Sequence, residues 1–193
     1  MMLPFLLLAA IFEFTFLPFS NVNLPEESAD LIGALNTQTD VTRKPPELLK
    51  LGFLVGKWAG ESFSPATQWF PESRSSANVT FQWALGGYHL EGNFSYQVAE
   101  NPYNARSFWS YSVDEKKYYV HWIDDHSSHS YTYAGNFKND STLILVTKRK
   151  IEQQIVTERL VLTQTSKNRW KLVSESDPTG DFVVGGIITV KRQ

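Results

Sequence analysis

Cysteine is absent from the 193-residue chain. That excludes a disulfide framework, a thiolate metal site, a cysteine nucleophile and a lipid-bearing N-terminal cysteine. Charge is sparse and balanced, with 18 Lys and Arg against 20 Asp and Glu and a net charge of −2. Without a basic excess there is no field to gather phosphates, which argues against nucleic acid as a partner. The sequence holds no G-x-S-x-G, no phosphate loop and no dinucleotide fingerprint. It also lacks an unbroken apolar run of the ~20 residues that a membrane-spanning helix needs. Aromatic residues, by contrast, are plentiful: 13 Phe, 8 Tyr and 6 Trp. That supply suits an ordered apolar core in a chain long enough for one domain.

Residues 1–20 carry an apolar run from Leu3 to Phe12, then Glu13, then a second apolar stretch ending at Phe19. The length fits the apolar region of a signal peptide and predicts a secreted or periplasmic protein, although no Lys or Arg precedes it and no A-x-A-like site follows. A membrane-tethering segment and an intracellular extension are the alternatives. Residues 21–45 read as a polar linker with at most a helical turn near Ala29 to Leu35. A single domain is expected over 46–193.

Pro46 suits the first turn of a short helix carrying Leu48, Leu49 and Leu51 and ending near Gly52. Period-two alternation follows. Ala77, Val79, Phe81, Trp83 and Leu85 share one face, and Gly86-Gly87 then signals a two-residue hairpin. Pairing Leu85 with Tyr88 puts Tyr88, Leu90, Gly92, Phe94, Tyr96 and Val98 on the same side. A second hairpin, centred on Glu115-Lys116, joins Trp109, Tyr111 and Val113 to Tyr118, Val120 and Trp122. With strands at 57–63, 129–138, 141–149, 154–164, 169–176 and 181–191, about ten short strands succeed one another without an intervening helix. The fold class is therefore all-β. An up-and-down barrel that hides its edges is expected, ahead of a sandwich.

The stretch Leu51 to Gly60, LGFLVGKWAG, resembles the opening of lipocalin-like, or calycin-type, barrels: a helix across the barrel base, then G-x-W-x-G at Gly56, Trp58 and Gly60. It is also similar to a largely bacterial family known only as a domain of unknown function, which opens L-x-x-L-x-G-x-W-x-G. The likeness covers about residues 46–193. Physically, Gly56 supplies positive φ, Trp58 plugs the closed end and Gly60 admits a neighbouring backbone. The lipocalin resemblance implies a basic residue of the last strand over Trp58, with Lys191 or Arg192 at the matching position. Nitrobindin-type haem barrels look similar at the same opening, but they ligate iron through a C-terminal histidine. Here no histidine follows His129, so haem would need His89 or His121, and no cofactor is expected.

The densest polar group, His121 to His129, holds three imidazoles and two carboxylates within nine residues. His121, His126 and His129 are weak metal candidates, and a histidine base oriented by Asp124 or Asp125 is the catalytic alternative. The spacing matches no metal motif, and a solvated turn capped by Asp and Ser accounts for it. His121 and Arg106 are expected to face outward. Lys148-Arg149-Lys150 reads as a solvated hairpin end, or as a contact for anionic headgroups. Asn78, Asn93 and Asn139 open N-x-S/T triplets, which are acceptors only in an exported eukaryotic protein. The binding candidates are Phe81, Trp83, Phe94, Tyr96, Trp109, Tyr111, Tyr118 and Trp122. A ten-stranded barrel is wider than side chains easily fill, so these rings either line a pocket for a small apolar molecule or pack the core themselves. Binding without catalysis is the favoured reading.

Overall fold

Alternation along the chain resolves into ten antiparallel strands. The computed structural model describes residues 44–66, 71–151, 154–177 and 180–193. The leader and the linker up to residue 43 lie outside the described residues, as do Pro178 and Thr179. The strands are β1 (Gly56–Ser64), β2 (Ser73–Ala84), β3 (His89–Val98), β4 (Asn101–Ser112), β5 (Lys117–Asp124), β6 (Tyr131–Asn139), β7 (Thr142–Ile151), β8 (Gln154–Ser166), β9 (Arg169–Asp177) and β10 (Val183–Arg192). Each pairs with its successor, and β1 also pairs with β10, so the expected barrel closes and leaves no open edge.

The helix α1 (Pro46–Leu49) starts at its proline and runs into a 3₁₀ turn over Lys50–Leu54, two residues beyond the expected end. Leu48, Leu51 and Leu54 recur every third residue, the spacing that stacks side chains on one face of a 3₁₀ turn, and all three are buried. Trp58 rises beneath them and its indole N–H donates to the Leu54 carbonyl at 2.6 Å. The Arg192 guanidinium covers the Trp58 ring at 4.3 Å. Arg192 also donates to the carbonyls of Val55, at 2.7 Å, and Phe53, at 3.0 Å. The basic residue over the tryptophan is thus Arg192, while Lys191 is exposed. Because Arg192 is solvent-exposed, Arg192→Ala is expected to cost only about 1 kcal/mol, a drop of roughly 2–4 °C in Tm by thermal melting. Arg192→Lys should recover only part of that loss, since an ammonium cannot reproduce the planar two-carbonyl fork.

Gly56 has φ of +131° and Gly60 lies directly against β10, the backbone conformation and the close approach expected of these two glycines. The first hairpin keeps its predicted register, with Trp83 opposite Leu90, but the ladder stops one pair short of Leu85 and Tyr88. Leu85 takes φ of 50° and points into solvent. The second hairpin departs further: Tyr111 pairs with Tyr118 across a four-residue turn, two positions from the predicted register. A shift of two preserves which face is buried, so the aromatic residues still point inward. Val113 falls in the turn and is exposed.

Three neighbouring strands taper along their inner faces from the helix-covered end upward: Trp58, Gly60, Ser62 on β1, Trp170, Leu172, Ser174 on β9, and Val190, Ile188, Gly186 on β10. Large rings therefore fill one half. Phe81 touches Phe94, Trp109 and Trp170 edge-on, and Trp170 meets Trp58 in the same way. The other half stays open.

Candidate functional site

The open half encloses a cavity of about 480 Å³. Its lower wall is apolar, formed by Trp122, Leu160, Leu172 and Ile188. Trp122 lies on Phe94 with ring centroids 4.6 Å apart, which joins the cavity to the filled aromatic core below.

The polar wall comes from three strands whose inward residues change character near the mouth. On β7 the inner series Leu143, Leu145, Thr147 ends in Arg149. On β8 it reads Leu162, Leu160, Glu158 in the same direction, and on β6 it ends in Tyr133 and Tyr131. Arg149 Nη2 donates to Glu158 Oε1, and the Tyr133 hydroxyl donates to Glu158 Oε2 at 3.2 Å. The Arg149 guanidinium also covers the Tyr131 ring at 4.4 Å. Its Nε is buried and has no hydrogen-bond partner among the described residues. Burial pulls the arginine pKa down, but the Glu158 carboxylate and its hydrogen bond outweigh that and the net shift is upward. Arg149 therefore stays charged. Lys148 and Lys150 alternate outward, so the basic triplet is not a uniformly solvated hairpin end.

Across the cavity the rings of Tyr96 and Tyr103 lie 4.7 Å apart, and the Trp122 indole donates to the Tyr103 hydroxyl at 3.0 Å. Burial raises the pKa of Tyr96, Tyr103 and Tyr133 well above the usual phenol value. All three hydroxyls keep their protons at physiological pH.

Of the eight predicted binding residues, Tyr96 and Trp122 line this cavity and Phe94 supports it from below. Phe81 and Trp109 are buried in the filled half. Trp83 and Tyr111 are partly buried toward the helix-covered end. Tyr118 is there too, and its hydroxyl donates to the Glu47 carbonyl at 2.8 Å. Burial first, then Tyr111 and Glu47, pushes the Tyr118 pKa up to about 12. Tyr103, Tyr131, Tyr133 and Glu158 are not among the sequence candidates, and Arg149 figures there only in the basic triplet. The signal for them was the same alternation, carried past the last apolar residue of each strand.

The histidines do not converge. His121 faces outward, 2.9 Å from the Thr132 hydroxyl. The His126 Nε2 donates to the Pro102 carbonyl at 2.9 Å while the ring stands edge-on to Tyr103. His129 is exposed beside Ser128. Asp125 accepts from the backbone N–H of Asn104 at 3.0 Å and from its side chain at 2.8 Å, and these bonds hold its pKa below the usual carboxylate value. Among the described residues no three His, Asp or Glu side chains gather around a common metal point. Arg106 is exposed on the outer face near Glu91, and Asn78, Asn93 and Asn139 sit on β2, β3 and the end of β6. Among the described residues no helix is long and apolar enough to cross a membrane.

Residues 47–183 match a family described as "Protein of unknown function (DUF1579)". Among solved structures the chain is similar to the crystal structure of Rv2717c from M. tuberculosis, with a TM-score of 0.56 and 11% identity, covering 78% of this chain and 99% of that one. That likeness concerns the fold. No curated protein matches significantly.

Proposed function

Since the chain belongs to the DUF1579 family of proteins of unknown function, its role has to be read from its own site, and we propose a non-enzymatic barrel that binds a small hydrophobic or aromatic molecule in the open half. The observation that supports this is the cavity of about 480 Å³, within the range of small-molecule pockets, above a packed aromatic floor. A lipocalin-like reading is supported by the helix across one end and by Arg192 over Trp58.

Titration with a panel of small aromatic and aliphatic molecules tests the binding. At ten times Kd a bound ligand should add about 1.4 kcal/mol, or roughly 3–6 °C in Tm. It should also change the Trp122 emission, and Trp122→Phe should remove that part of the response. Ser174→Trp, which fills the cavity from β9, should abolish binding while leaving the melt within about 2 °C. A panel that moves neither melt nor fluorescence would sink the proposal.

The apolar leader over 1–20 supports export, with the barrel acting outside the cytoplasm. N-terminal sequencing of protein recovered from an exported fraction should begin beyond residue 20. Recovery there with Met1 intact would overturn cleavage.

A further inference from the structure

On the inner wall Arg149 and Glu158 pair as one neutral unit, and Asp124, the next inward position of β5 after Trp122, is a further carboxylate that lines the cavity. Glu158 takes a single donor on each carboxylate oxygen, from Arg149 and from Tyr133, and so retains acceptor capacity. Arg149 directs one Nη2 bond to Glu158 out of the five N–H donors of its guanidinium, so the guanidinium retains donor capacity. Donor and acceptor lie side by side above the apolar floor. Around the cavity, two arginines (Arg149 and Arg159) face three carboxylates (Asp124, Glu158 and Glu175), so there is no cationic excess to draw an anion. Arg159 is itself occupied, paired with Glu175 and lying over the Phe182 ring.

We propose, building on the binding function above, that the Arg149–Glu158 pair selects uncharged ligands carrying an adjacent hydrogen-bond donor and acceptor, such as a primary amide on an aromatic body. A carbonyl oxygen would accept from Arg149 while the neighbouring N–H donates to Glu158, and the ring system lies on Trp122, Leu160 and Leu172. A carboxylate of the same shape would set its charge against Glu158 and bring no donor. An ammonium would find a carboxylate to pair with but bring no acceptor for Arg149. A hydrocarbon would fill the floor and leave both polar groups without new partners.

Calorimetric titration of the full chain with 2-naphthamide, 2-naphthoate and 2-methylnaphthalene separates these cases. The amide is expected to bind tightest, ahead of the hydrocarbon and the carboxylate by about tenfold or more. Glu158→Gln keeps the shape and the acceptor for Tyr133 but removes the charge. It should strengthen naphthoate binding about tenfold while changing naphthamide binding less than about threefold. A thermal melt of Glu158→Gln checks that the barrel remains closed, and Glu158→Asp should restore discrimination against the carboxylate. Equal binding of amide and hydrocarbon would reduce the pair to a packing element and overturn the selectivity, as would a preference for naphthoate. Binding with the wrong preference leaves the ligand-binding function standing. Failure of all three probes, with no melt shift, removes that function and the selectivity together.

Discussion

Trp58→Ala is expected to remove about 4 kcal/mol of folding stability. The ring is 1% exposed, stands edge-on to Trp170 at 5.8 Å, donates to Leu54 and lies under Arg192. Truncation would leave a cavity at the base, orphan a carbonyl and strip the guanidinium of its platform together. Against a total stability of about 5–15 kcal/mol, such a loss brings the domain near its folding threshold. Urea denaturation followed by far-ultraviolet circular dichroism measures it. Trp58→Phe, which keeps an aromatic plug but loses the N–H, should cost about 1–2 kcal/mol. A loss below about 1 kcal/mol for the alanine variant would mean that the base is not held by this plug.

Gly60→Ala should be the next most damaging change, at about 3 kcal/mol, the upper end for inserting one methyl group into packed structure. A Cβ there would meet the Thr189 carbonyl oxygen at 2.0 Å and Val190 Cα at 2.8 Å. Both are backbone atoms of β10, so no side-chain rotation relieves the clash and β1 must move off its partner. Gly52→Ala is the matched control. Its Cβ would meet nothing within 4 Å, so it should be neutral or stabilising by up to about 1 kcal/mol through a stiffer unfolded chain. Parallel urea titrations compare the two, and equal destabilisation would refute the close-approach account of Gly60.

The barrel was legible in the sequence because period-two alternation and turn residues reinforced each other over successive hairpins, and Trp58 and Gly60 stood out by motif. Register at the Tyr111–Tyr118 hairpin was less legible. Asp114, Glu115, Lys116 and Lys117 suit several turn lengths, and burial cannot distinguish registers that differ by two. The cavity was harder still. Aromatic residues at inward positions mark both a packed core and a pocket wall, and the feature that divides them here is the size gradient along β1, β9 and β10. That gradient emerges only when strands running in opposite directions are read from the same end. Arg149 and Glu158 were obscured for a related reason, since a charge near a strand terminus is ordinarily a solvated one.

The pairing of β1 with β10 also sets a timetable for the chain. Trp58 lies opposite Arg192, 134 positions later (192 minus 58), whereas every other ladder joins strands adjacent in sequence. During synthesis at about 5–20 residues per second, β1 waits on the order of ten seconds for its second partner. Meanwhile, the outer edge of β1 and the free edge of the growing sheet remain open to other chains. The longest-range contact is thus the last that can form, which makes the final strand both the lock of the barrel and the end of its period of greatest exposure to aggregation.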